Sequence, residues 1–126
     1  MSVYLDTHVV VWLAAGLSRK LSRRASEALE SSDALLISPL VTLELAYLQE
    51  IGRIVHPPAT LLAHLGQSIG LRSSEPDLAR LVGIAQDLEW TRDVFDRLIV
   101  SECIWTGAPL MTRDRLIRKN FGETVW

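Results

Sequence analysis

Short apolar runs alternate along this chain with longer segments whose apolar residues recur at helical spacing, a pattern that predicts strands interleaved with helices. Ser2-Val3-Tyr4-Leu5 is β-prone, and Thr7 is placed to cap an apolar helix through Val9, Val10, Trp12 and Leu13, which leaves Asp6 at the strand's end. Leu21, Ala25, Ala28 and Leu29 mark the inner face of a helix over about residues 20–31. Ala34-Leu35-Leu36-Ile37 reads as a fully buried strand, followed by Ser38 as a cap and Pro39 at the first position of a helix that carries Glu44. Pro57-Pro58 opens a helix over about 59–69, which Gly70 ends.

Leu71-Arg72-Ser73 forms a short strand in this reading, and residues 74–77 make a capping-box-like start with Asp77 in the usual Glu position. That start leads a helix holding Leu78, Leu81, Val82, Ala85 and Leu88, and it gives Asp77 a capping duty rather than a ligand's. A helical pattern over 93–105 buries Phe95, Leu98, Ile99 and Ile104; Leu110-Met111-Thr112 is a buried strand after a Gly-Ala-Pro turn, and Thr124-Val125-Trp126 is a last strand at an edge. The sum is an α/β fold, a three-layer α/β/α sandwich around a mostly parallel sheet of four to five strands.

Length changes this picture little: 126 residues make one domain, 1–126, with 48% apolar content and no linker-like block or internal repeat. The longest apolar stretch, Val9 to Leu17, is too short to span a membrane. The amino terminus has no basic region, and Asp6 and His8 break its apolar run, so no secretory signal is expected and the expected location is cytoplasmic. Cys103 is the only cysteine, which excludes an internal disulfide and a cysteine-rich zinc site. A formal charge of −2 argues against holding nucleic acid by overall charge, although Arg19, Lys20, Arg23 and Arg24 form one basic run and Arg113, Arg115, Arg118 and Lys119 another around Asp114.

The candidate chemistry lies in acids. Asp6, Glu44, Asp96 and Asp114 each stand at or near a helix start that follows an apolar run, and in a parallel sheet those loops converge at the carboxyl ends of the strands. Crowded carboxylates suit a hard divalent cation, Mg2+ or Mn2+, and such a cation suits phosphate chemistry, so the residues alone read as a metal-dependent nuclease. Bland readings stand beside this one. Asp6 and Asp114 are in position to cap helices, Asp93 more so; Glu44 could pair with a basic side chain, and Asp96 with Arg92 or Arg97. His8, His56 and His64 are too scattered to read as a ligand set, and Trp12, Trp90, Trp105 and Trp126 read as core or interface residues.

Tyr4-Leu5-Asp6-Thr7-His8, Ser38-Pro39 leading to Glu44, Trp90 to Val100 with its D-x-x-D-R core, and Leu110-Met111-Thr112-Arg113-Asp114 together resemble the PIN-domain ribonucleases, specifically the VapC-type toxins of bacterial toxin–antitoxin pairs. The resemblance spans almost the whole chain. It implies metal-dependent endonucleolytic cleavage of structured RNA, with Mg2+ or Mn2+ held by Asp6, Glu44, Asp96 and Asp114. Asp93 and Thr112 become supporting residues or an additional ligand, and Arg97 and Arg113 phosphate-facing candidates. It also implies a small cognate antitoxin that covers the acidic groove and a homodimer or toxin–antitoxin hetero-oligomer. Two positions depart from the family pattern: Val94 replaces the usual Pro, which would shift the helix entry, and Ser101-Glu102-Cys103 replaces small residues, a packing adjustment of little consequence for the acids. The rival classes are a non-catalytic scaffold that binds RNA or protein, and a phosphatase of a related fold. The latter typically needs D-x-D after the first strand, where this chain has His8.

Overall fold

A computed structural model describes all residues, 1–126, and contains five strands and seven α-helices. In chain order these are β1 (Ser2–Leu5), α1 (Thr7–Ala14), a 3-10 turn (Ser18–Lys20), α2 (Arg23–Ser31), β2 (Ala34–Ile37), α3 (Pro39–Glu50) and α4 (Pro58–Ile69). Then follow β3 (Arg72–Ser73), α5 (Leu78–Ala85), α6 (Val94–Thr106), β4 (Leu110–Met111), α7 (Arg115–Asn120) and β5 (Thr124–Val125). The sheet runs in the order β3-β2-β1-β4-β5, and every pairing is parallel. The expected four to five mostly parallel strands are thus five, all parallel, in a three-layer α/β/α arrangement.

The centre of that sheet explains its stability. Val3, Tyr4 and Leu5 are consecutive, point to alternate faces, and are all buried, so both faces of β1 are covered by helices. Leu45 of α3, Ile99 of α6, and Leu110 and Met111 of β4 complete a continuous core with them. Truncating one such residue, Leu45→Ala for instance, would cost about 2–5 kcal/mol.

Three local expectations are corrected by hydrogen bonding. Asp6, not Thr7, caps α1, because its Oδ1 accepts from the Thr7 amide. The helix expected over residues 20–31 begins at Arg23, since the Ser22 hydroxyl accepts from the Ala25 amide and the preceding turn is 3-10. Asp77 does cap α5, but as the residue before its first turn, accepting from Ala79; Ser74 plays no part in that cap, because its hydroxyl donates to the Ile37 carbonyl at 3.2 Å and to Glu102. Gly70 ends α4 with φ +70°, the left-handed turn its lack of a side chain permits.

Order reverses at the centre of the sheet. From β1 the chain builds outward to β2 and β3, then returns to place β4 on the other side of β1, so the switch point lies between β1 and β4. In open α/β sheets the crevice at the carboxyl ends of two such strands is the usual ligand position. Asp6 ends β1 and Thr112 follows β4 at that crevice.

Candidate active site at the carboxyl edge of the sheet

Asp6 is extended at the end of β1, and burial would make its carboxylate costly without donors. It has two: Oδ1 accepts from the Thr7 amide at 2.8 Å, and Oδ2 accepts from the fully buried Thr112 hydroxyl at 2.5 Å. The same Thr112 oxygen accepts from the Asp114 amide at 3.1 Å. Thr112 thus ties the β1 acid to the segment that presents the β4 acid. Thr7, freed from capping, donates its hydroxyl to Glu44 Oε1 on the second turn of α3.

The remaining acids start helices. Asp93 caps α6 by accepting from the Asp96 amide at 3.0 Å, and Asp96 lies in the first turn. Asp114 caps α7 by accepting from the Ile117 amide at 2.9 Å. The capping readings of Asp6, Asp93 and Asp114 therefore hold, and they do not compete with a shared site: each cap fixes one oxygen and directs the carboxyl group at a helix start, where the peptide dipoles favour negative charge.

Electrostatics bring the four segments together. Burial first, and then the charges of Asp93, Asp6, Asp114 and Glu44, together push Asp96 up to about 8. Glu44 is raised by burial, with Asp6 and Asp93 adding to the rise and the Thr7 hydrogen bond opposing it. Asp6 is raised by burial, opposed by Thr112, the Thr7 amide and His8, with Asp114 again adding. Carboxylates raised in this way are crowded by like charges.

No salt bridge relieves that crowding. The protein's ion pairs are the amino terminus with Asp33, Arg23 with Glu27, and Arg80 with Asp77, none of which involves these acids. Pairing of Asp96 with Arg92 or Arg97, and of Glu44 with any base, is thereby excluded. Arg97 donates from Nε to the Thr91 carbonyl at 2.8 Å and lines a depression with Val82, Ala85 and Leu98, so it is not brought to the acids. Arg113 is: it borders a depression of about 270 Å³ with Asp6, His8, Val9, Trp12 and Asp114.

The donor set, oxygen throughout and free of basic partners, fits a hard divalent cation. As the side chains stand, no three of them close on a common point, the outcome expected of mutually repelling carboxylates of which Asp6, Glu44 and Asp114 are each anchored by hydrogen bonds of their own.

The PIN domain family matches residues 3–120. Ribonuclease VapC22 of Mycobacterium tuberculosis is 34% identical over 99% of this chain and 98% of its own. The chain belongs to the PIN-domain family, VapC type. The backbone likeness agrees: the crystal structure of VapBC2 from Rickettsia felis bound to a promoter DNA fragment has a TM-score of 0.70 at 16% identity, covering 100% of both chains. A toxin–antitoxin complex from Klebsiella pneumoniae has a TM-score of 0.67 at 15% identity, covering 98% of this chain and 96% of that one.

Within this PIN domain the two departures resolve differently. Val94 in place of Pro leaves the entry to α6 capped by Asp93, and the Val side chain points largely to solvent. Glu102 is more than a packing adjustment: it is fully buried, its Oε2 accepts from the Ser74 hydroxyl, and its Oε1 has no partner. Beside it the Tyr4 hydroxyl is pushed up to about 12, by burial first and by Glu102 second. Sequence reasoning also missed Thr7 as a partner of Glu44; its place directly after the β1 acid was the available signal.

Proposed function

We propose that this PIN domain is a metal-dependent endoribonuclease and the toxin of a toxin–antitoxin pair. The observation that carries the reading is the set of acids from four separate segments, none in a salt bridge, among which Asp96 is pushed up to about 8 by burial first and by the charges of Asp93, Asp6, Asp114 and Glu44 after it. Asp6, Glu44, Asp96 and Asp114 would hold Mg2+ or Mn2+, which when bound supplies a water of lowered pKa and a counter-charge for the phosphodiester. The full-length likeness to a protein named ribonuclease supports the activity, and the toxin–antitoxin structures of like fold support the biological setting.

The chain's own residues do the rest. Thr112 and the Thr7 amide hold Asp6 in one orientation, and the Thr7 hydroxyl holds Glu44. Asp93 keeps the first turn of α6 in place beneath Asp96. Arg113 offsets the repulsion an RNA phosphate meets on approaching so many carboxylates. Hydrolysis by water needs no ribose 2′-hydroxyl; attack at phosphorus with departure of the 3′-oxygen, the outcome the family resemblance implies, leaves a 5′-phosphate and a 3′-hydroxyl, and structured RNA with accessible loops is the substrate class.

A cognate antitoxin would cover this groove with Arg or Lys directed at the acids. For apolar surface available to it, or to a second toxin copy, Leu45 and Leu65 belong to the core, whereas Leu43, Tyr47, Ile51 and Val55 are exposed. Brief expression in a bacterial host, followed by sequencing of RNA ends, tests the proposal. Growth arrest with new 5′-phosphorylated ends, absent for Asp6→Asn, is the expected result; arrest that persists with Asp6→Asn, or no new ends, would refute it.

A further inference from the structure

Trp12 packs against the core without being fully buried in it. It lies on α1 and is partly exposed, with its indole on the wall of the depression that Asp6 and Asp114 border. Trp126 packs on it at a centroid distance of 5.9 Å and a tilt of 53°, and His8 flanks it at 6.3 Å, so the ring is held in one orientation. Two cations rest against it: Lys20 Nζ is 5.5 Å and Arg113 Cζ 6.0 Å from the ring. Neither cation is paired with a carboxylate, although Asp6 and Asp114 line the same depression as Arg113.

An oriented aromatic face with two unpaired cations matches the two chemically distinct parts of a nucleotide. We infer that this depression is a nucleotide subsite, in which Trp12 takes the base of an unpaired nucleotide flanking the cleaved phosphodiester and Lys20 and Arg113 take its phosphate. The inference rests on the ribonuclease reading for its position next to the cleaved bond. An exposed cation–π contact is weaker than a charge-assisted bond to phosphate, so the arriving phosphate draws both cations from the indole and clears it for the base. Every base has a π-face, so the subsite favours single-stranded RNA without selecting a base. It also answers the charge problem of an acidic chain that must hold RNA: the attraction is local.

Anisotropy of fluorescein-labelled, random-sequence single-stranded RNA tests this, with Ca2+ in place of Mg2+ and across a salt series, for wild type, Trp12→Leu, Trp12→Phe and Lys20→Ala. Trp12→Leu should bind about 5- to 100-fold more weakly, with Trp12→Phe between it and wild type. Lys20 is exposed, so its replacement leaves the fold intact; Lys20→Ala should flatten the slope of log affinity against log salt by about 0.7. A Trp12→Leu protein that binds like wild type, an unchanged salt slope for Lys20→Ala, or a wild type without affinity for RNA overturns the subsite. Should Trp12→Leu fail to fold, Trp12→Phe and the salt slope decide. Binding with the expected differences but no cleavage once Mg2+ is restored would instead refute the ribonuclease reading and leave the subsite in place.

Discussion

The Thr112 hydroxyl donates to Asp6 Oδ2 at 2.5 Å across 106 residues of sequence, joining the ends of the two central strands at the switch point of the sheet. The bond has a partner in the Asp114 amide, which donates to the same hydroxyl at 3.1 Å. One buried side chain therefore sets the orientation of an acid from β1 and the path of the chain toward an acid after β4.

Thr112→Val keeps the shape and removes both bonds. Metal-dependent cleavage should fall by about 10- to 100-fold, as for other residues that orient a ligand, and stability by about 1–3 kcal/mol, because a buried acceptor loses its donor. Thr112→Ser should retain most of both. Cleavage by Thr112→Val within twofold of wild type would show that Asp6 needs no such support.

The raised acids make metal-free stability depend on pH. Asp96 has an ordinary value of 3.8 and is pushed up to about 8 in the folded protein, so the folded state holds a proton that the unfolded state has released. Its contribution is fully present below pH 4 and is lost as pH rises toward 8. The melting temperature of metal-free protein should therefore fall between pH 5.5 and 8.5, and less so in Asp96→Asn, where that proton is replaced by a permanent neutral group. Mn2+ should raise the melting temperature of wild type at pH 8 more than that of Asp96→Asn, because a ligand of the folded state stabilises by mass action. Parallel pH profiles for the two proteins would contradict this assignment.

Glu102 offers a test away from the groove. Its carboxyl group is fully buried with one oxygen unpartnered and no basic side chain paired with it. Glu102→Gln keeps an acceptor for Ser74 and replaces an ionisable group in the interior by a neutral one, so the melting temperature should rise while cleavage stays within a fewfold. A marked loss of stability would mean that Tyr4 and Ser74 depend on the carboxylate itself.

Much of this architecture was legible because β1, β2 and β4 are short, largely apolar and bounded by a turn or cap residue. Asp6, Glu44 and Asp114 could be named because α/β connectivity carries residues after strands to one edge, whereas Asp96 opens a helix that follows α5 and no strand, and only its D-x-x-D-R motif marked it. Boundaries were less legible where a side chain had two possible jobs. Ser74 has the sequence of a cap, yet its hydroxyl is engaged by Ile37 and Glu102, groups from β2 and α6 that no local window contains. Thr7 and Asp6 both suit a cap, and only the fold, by bringing Glu44 to Thr7, assigns the cap to Asp6. Arg97 lies in the most informative motif, but the helix turns it to the Thr91 carbonyl. Trp12 does pack against the core as read, but its share in the wall of the acidic depression is a tertiary property that an apolar helix does not announce.

The central claim, that carboxylates from four segments form one metal-dependent site, meets its most direct test in RNA cleavage by purified protein with Mg2+ or Mn2+, compared with the same protein in EDTA and with folded Asp6→Asn. The account predicts cleavage by wild type with metal, none in EDTA, and loss of most of the activity in Asp6→Asn at every metal concentration, because an amide is a poor ligand for a hard cation. Undiminished cleavage in EDTA, or by Asp6→Asn, would contradict it.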